Sequence, residues 1–159
     1  MLSVMRNNLI QFVVIAAVSV LAACSKAPEQ PAAPEKTFTI SASDQMKYDV
    51  TMIEAKHGQT IAVTLKNVGT MPKVSMGHNF VLLDKTQNPE KFVEASQTHF
   101  ANDHIAPELK NKVLAHTKLL GPGETDTIVF TVPIPGRYTF ICSFPGHFAV
   151  GMKGTLMVQ

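Results

Sequence analysis

The chain has 159 residues, a formal net charge of +2, 16% charged residues and 45% apolar ones. That balance excludes a disordered, highly charged chain and leaves no footprint for nucleic acid or other polyanions. The length allows one ordinary domain with a sizeable core.

Part of the apolar count belongs to a leader rather than a fold. Met1 to Ala23 carries one charge, Arg6, ahead of an apolar run from Leu9 to Ala23. This is the pattern of a secretory signal, and the run is too short and poorly flanked for a membrane span. Leu21-Ala22-Ala23-Cys24 resembles the bacterial lipobox, in which the cysteine is acylated and becomes the mature N-terminus. Residues 1–23 are thus expected to be a lipoprotein signal peptide, with lipidation at Cys24. Ser25 after the cysteine suits an outer-membrane destination in a Gram-negative cell. Lys26 to Lys36 (KAPEQPAAPEK) has no apolar periodicity, so residues 24–36 read as a lipidated N-terminus and a semi-extended linker. Two cysteines in an exported chain ordinarily suggest a disulfide. With Cys24 taken by lipid, Cys142 is left as a lone thiol, which metal ligation explains.

From residue 37 to 159 the pattern is that of a β domain. Phe38, Ile40 and Ala42 alternate with Thr39, Ser41 and Ser43, followed by Tyr48, Val50 and Met52 and by Ile61, Val63 and Leu65. Asn79 to Leu83 is a short apolar strand. Pro89 to Ser96 has apolar residues among charges without a turn glycine, which predicts a helical flap around 89–103. Val113 to Thr117, Thr125 to Val132, Arg137 to Cys142 and Lys153 to Gln159 complete a set of seven to eight strands. The expected architecture is all-β, a Greek-key antiparallel sandwich with a short helical flap.

The chemistry concentrates in Cys142-Ser143-Phe144-Pro145-Gly146-His147-Phe148-Ala149-Val150-Gly151-Met152. A thiolate, an imidazole and a thioether on one loop are soft donors that select copper. Pro145-Gly146 turns the chain to present His147, and Gly151 brings it back toward Met152. A trigonal His₂Cys site with a weak axial Met needs a second imidazole, for which His78 in Met76-Gly77-His78-Asn79-Phe80 is the best candidate. Ligation requires a thiolate and neutral histidines, so copper affinity should fall in acid.

Cys-Ser-Phe-Pro-Gly-His followed by Met-Lys-Gly-Thr-Leu resembles the C-terminal signature of azurins, blue (type 1) copper proteins of the cupredoxin family. Met76 to Leu82, Ala115 to Leu119 and Gly123-Glu124 are similar to azurin stretches in the same order, and the resemblance covers about Phe38 to Val158. It implies one mononuclear type 1 copper per chain, with His78, Cys142 and His147 as equatorial ligands and Met152 axial. It also implies the Gly77 carbonyl opposite Met152, with Asn79 and Phe144 bonding the sulfur through their backbone N–H groups. Asn79 would further tie the two ligand loops together. Met71, Met76, Phe144, Pro145 and Ala149 would form an apolar patch around His147 where electrons leave.

Three features depart from azurins. Four residues, Phe148 to Gly151, separate His147 from Met152 where azurins have three, a spacing similar to that of the membrane-tethered auracyanins. The azurin disulfide has no counterpart, and Asn67 stands where many azurins carry a buried histidine.

The implied function is single-electron shuttling at the bacterial cell envelope. Redox proteins such as c-type cytochromes or copper/haem reductases would dock transiently, and the lipid would hold the carrier at a membrane. The alternative is a copper-binding lipoprotein for delivery or storage. An enzyme is disfavoured, since no acid/base pair or second metal cluster is visible. His116 is expected to be an ordinary surface histidine, His57, His99 and His104 to be solvated, and Met46, Met52 and Met157 to lie in the core.

Overall fold

A computed structural model describes residues 33–159. The signal-peptide reading and Cys24 lie outside the described residues. Among the described residues, nine strands form two sheets that face each other across the main core. They are β1 (Lys36–Ser43), β2 (Lys47–Tyr48), β3 (Met52–Ala55), β4 (Thr60–Asn67), β5 (Val81–Leu83), β6 (Val113–His116), β7 (Thr125–Thr131), β8 (Gly136–Ile141) and β9 (Lys153–Val158). One sheet has the order β2-β1-β4-β7 and the other β3-β9-β8-β5-β6. Successive strands cross between sheets from β2 to β5 and again from β6 to β8, as a Greek-key sandwich requires.

The expected all-β sandwich is present, with one more strand than the patterning suggested and with mixed rather than purely antiparallel sheets. β1 runs parallel to β4, with Phe38 opposite Val63 and Ile40 opposite Leu65. β3 runs parallel to β9, with Ile53 opposite Leu156. Period-two alternation places a side chain on a face but is blind to strand direction. Met52 and Glu54 point outward while Ile53 and Ala55 are buried. Met52 is therefore exposed rather than core, because the turn between β2 and β3 resets the phase of the alternation. Met46 and Met157 are partly buried.

β5 explains how the flap is fastened. Leu82, like the preceding Phe80, faces the sandwich core, while Val81 and Leu83 face a second apolar cluster with Phe92, Ile105 and Ile141. Burial on both faces makes a strand a continuous apolar run instead of an alternating one. Over this outer face lies the helical flap, whose helix α1 spans Pro89–Ser96. Asn88 caps it by accepting from the Lys91 N–H, Pro89 occupies the first turn, and Phe92 and Ser96 are its buried positions. Complete burial of Phe92 contributes about 2–3 kcal/mol of transfer free energy. Two 3₁₀ turns follow, at Phe100–Asn102 and Pro107–Lys112. A four-residue helix, α2 (Lys73–Met76), precedes Gly77 and His78 and was not legible in the sequence pattern. No described helix is long and apolar enough to cross a membrane.

Candidate metal centre

Three donors from two distant parts of the chain meet at one end of the sandwich. His78 lies just before β5 and is fixed by a reciprocal backbone bridge to Leu120: its N–H donates to the Leu120 carbonyl at 3.0 Å and its carbonyl accepts at 2.7 Å. Cys142 directly follows β8, and His147 lies five residues further on. One ligand atom from each of His78, Cys142 and His147 lies within 4.8 Å of the others, and all three residues are buried. Cys142 Sγ is 3.4 Å from His147 Nδ1 and 4.0 Å from the Gly77 carbonyl oxygen. The two imidazole rings are 4.9 Å apart between centroids.

The loop carrying Cys142 and His147 is held largely by its own backbone. The N–H of His147 donates to the Phe144 carbonyl at 3.1 Å, and that of Met152 to the His147 carbonyl at 3.0 Å. The N–H of Cys142 closes the loop on the Met152 carbonyl at 3.1 Å. Gly146 (φ +84°) and Gly151 (φ +95°) take the left-handed conformations this path demands, which a side chain would strain. Met152 is fully buried beside Cys142, Phe144 and Leu120 in the main core cluster.

The donors suit a soft metal by their protonation as well as their placement. Both ring nitrogens of His78 are buried without a hydrogen-bond partner. Such a histidine is costly unless something else takes its lone pair. Burial lowers the His78 pKa, opposed by the Asp44 carboxylate. His147 is pushed down to about 4, by burial first and then by the nearby His78 and His104. Both imidazoles are therefore neutral near pH 7. Burial drives the Cys142 thiol up to about 12, while backbone N–H groups of Asn79 and Phe144 pull the other way by favouring the thiolate. A bound cation would take the imidazole lone pairs and stabilise the thiolate that burial disfavours. Copper, when bound, supplies a one-electron couple.

Asn79 links three segments of the chain around the site. Its side-chain oxygen accepts from the Ser143 N–H at 2.9 Å, and its side-chain amide donates to Ser143 Oγ at 2.8 Å. The same amide donates to the Asp103 carbonyl in the flap at 2.6 Å. The hydroxyl of Tyr48 donates to the Asn79 carbonyl. Asp103 returns a second tie, its carboxylate accepting from the Leu119 N–H at 2.8 Å. Sequence patterning missed Tyr48, Asp103 and Ser143. Their ties to Asn79 span 24 or more residues, and Asp103 takes a left-handed conformation (φ +56°) that glycine usually marks.

The remaining expectations divide. His104 is buried rather than solvated, because its left-handed backbone (φ +55°) turns the ring inward. Its ring packs edge-on against Phe100 and against Phe144. His57 is exposed, whereas His99 and His116 are half-buried, and His116 Nδ1 lies 3.1 Å from the Thr117 carbonyl. Of the proposed patch, Met71, Pro145 and Ala149 are exposed and Met76 is partly so. Phe144 is only 8% exposed and backs the His147 ring at 4.6 Å instead of facing solvent. Asn67 is buried and satisfied, donating to the Leu120 carbonyl and accepting from the Gly69 N–H.

Comparison with known proteins agrees with this geometry. Residues 35–159 match the family described as copper binding proteins, plastocyanin/azurin family. The azurin of Pseudomonas fluorescens biotype C is 38% identical over 129 residues, 79% of this chain and 99% of that protein. The azurin of Bordetella pertussis is 42% identical over 136 residues, 78% of this chain and 84% of its own. Among solved structures, the dithionite-reduced auracyanin of Roseiflexus castenholzii superposes with a TM-score of 0.69 at 34% identity, covering 80% of this chain and 99% of that one. The chain belongs to the plastocyanin/azurin family of copper-binding proteins. It is a blue copper protein whose cofactor is a single type 1 copper.

Proposed function

We propose that the protein is an electron carrier that cycles one copper between Cu(I) and Cu(II), with His78, Cys142 and His147 as equatorial ligands and Met152 as the axial one. The observation that carries this reading is the buried His78–Cys142–His147 cluster with both nitrogens of His78 unpartnered. Buried donors held by the strands and loop that carry them suit one-electron cycling, because little has to move when the charge on the metal changes. Backbone N–H groups of Asn79 and Phe144 aimed at the sulfur would tune the potential, and the Gly77 carbonyl would lie near the metal as a weak axial neighbour. Delivery or storage of copper is less well supported, since the donors are at most 1% exposed and offer no open position for exchange.

The exposed Met71, Pro145 and Ala149, with Met76, would dock c-type cytochromes or copper/haem reductases transiently, through a small and largely apolar contact. Export and acylation at Cys24 would hold the carrier at the cell envelope, on the outer membrane in a Gram-negative cell. Reconstitution with Cu(II) should give an intensely blue protein with a narrow parallel hyperfine splitting in electron paramagnetic resonance. A colourless form with ordinary tetragonal parameters would overturn the electron-carrier reading. Cys24→Ala should move the protein from the membrane to the soluble fraction; unchanged fractionation removes the lipid as tether.

A further inference from the structure

A line of aromatic rings leaves the metal centre in a direction that the ligand loop does not account for. His147 lies 4.6 Å from Phe144, Phe144 lies 5.0 Å from His104, and His104 lies 5.6 Å from Phe100, all between ring centroids. The inner three are buried, while Phe100 is 46% exposed on the flap. Rings at these separations are in van der Waals contact, with tilted or edge-to-face geometry that π systems favour.

His104 is the informative member. Its Nε2 is buried without a partner and its Nδ1 lies 3.4 Å from the Ser96 carbonyl. A leucine of similar volume would fill the space without an orphaned nitrogen. Packing alone therefore does not account for an imidazole there. The backbone around it is tightly held: the His104 N–H donates to the His99 carbonyl at 2.9 Å. Asp103 next to it bonds Asn79 on the His78 side and Leu119 on the other. The ring is thus fastened to the same framework that sets the ligands.

We propose that Phe100, His104 and Phe144 form a second electron route, entering at Phe100 on the flap and ending on the His147 ring, distinct from the apolar patch around the ligand loop. The proposal rests on the electron-carrier reading above. A reduced one-electron donor, of the ferrous haem class, loses one electron at Phe100 and Cu(II) becomes Cu(I). No bond forms or breaks and no proton moves. Contiguous packed rings provide electronic coupling where a solvent gap would interrupt it.

The test uses the full chain in a Cys24→Ala background, loaded with copper and labelled at one introduced thiol with a ruthenium polypyridyl photoreductant. Ala101→Cys places the label beside Phe100, and Val74→Cys places it on exposed α2 near His78 as the control. His104→Leu and Phe100→Leu should each slow copper reduction from the flap label several-fold and leave the control rate unchanged. Equal rates from the flap label with and without these substitutions overturn the route. Equal slowing from both labels overturns it too, because the residues would then act only structurally. Failure of copper to accept an electron from either label counts instead against the electron-carrier reading itself. In the copper-free protein, nuclear Overhauser contacts should link the rings of Phe100, His104 and Phe144, and their absence also overturns the route.

Discussion

The ligand loop from Cys142 to Met152 and the flap from Asp84 to Lys112 touch the same centre and are built in opposite ways. The loop is local: its donors sit within eleven consecutive residues and its backbone bonds join neighbours a few positions apart. The flap is remote: it reaches the site through Asp103, whose partners Asn79, Ser143 and Leu119 lie 24, 40 and 16 residues away. The loop supplies chemistry, and the flap supplies the rigidity that keeps that chemistry in one geometry. Local sequence spacing can specify donors, but a cage needs long-range contacts to close it.

The largest effect is expected at the loop. Cys142→Ser should abolish the blue absorption and leave a folded protein, as read by visible and far-ultraviolet spectra. A mutant that stays blue would mean the thiolate is misassigned. Against it stands Asn79→Ala, which strikes where loop and flap meet. It leaves the buried Ser143 N–H unpaired and the Asp103 carbonyl with only its longer bond from Ser143 Oγ, for a loss of about 1–3 kcal/mol in chemical denaturation. A loss below about 1 kcal/mol would show that the flap is not fastened through Asn79. Asp103 sharpens the contrast further. Asp103→Ala removes the acceptor for the Leu119 N–H and should cost about 1–3 kcal/mol, while Asp103→Gly also relieves the left-handed backbone, worth roughly 1 kcal/mol. The glycine variant should therefore be the more stable of the two, and the reverse order would mean the backbone strain is not felt.

A different readout of the site is the pH dependence of the copper-free protein. His147 titrates near 4 in the folded chain against an ordinary 6.5. The unfolded state therefore binds more protons between those values, and stability falls as pH drops through them. Cys142 titrates at about 12 against an ordinary 9.0, so stability also falls as pH rises from 9.0 toward 12. Thermal unfolding should give a plateau between 6.5 and 9.0, and copper binding within it should release one proton, from the thiol. Release of three protons would mean that the imidazoles are charged in the free fold.

Legibility in the sequence follows the same division. Soft donors at close spacing, turn residues between them and alternating strands are local signals, and they announced the loop, the sandwich and copper. His78 was reachable through its flanking motif, although nothing local says that residues 78 and 142 meet. What the sequence hid was long-range or conformational. The parallel pairing of β1 with β4 leaves the same alternation as an antiparallel one. Asp103 and His104 sit in a polar stretch that looks solvated, and only their left-handed backbone turns His104 inward. Phe144 was visible as apolar but not as the inner neighbour of a buried His104.

The parallel pairing of β9 with β3 bears on the order of assembly. β9 follows the ligand loop directly and joins β3 near the start of the domain to β8 just before the loop. Neither anchor of the loop is complete until β9 has paired with β3 and β8, and contacts so far apart in sequence form late. A chain in which β9 has not yet docked therefore has no cage in which to hold copper. Metal loading thus follows the closure of the sandwich rather than preceding it.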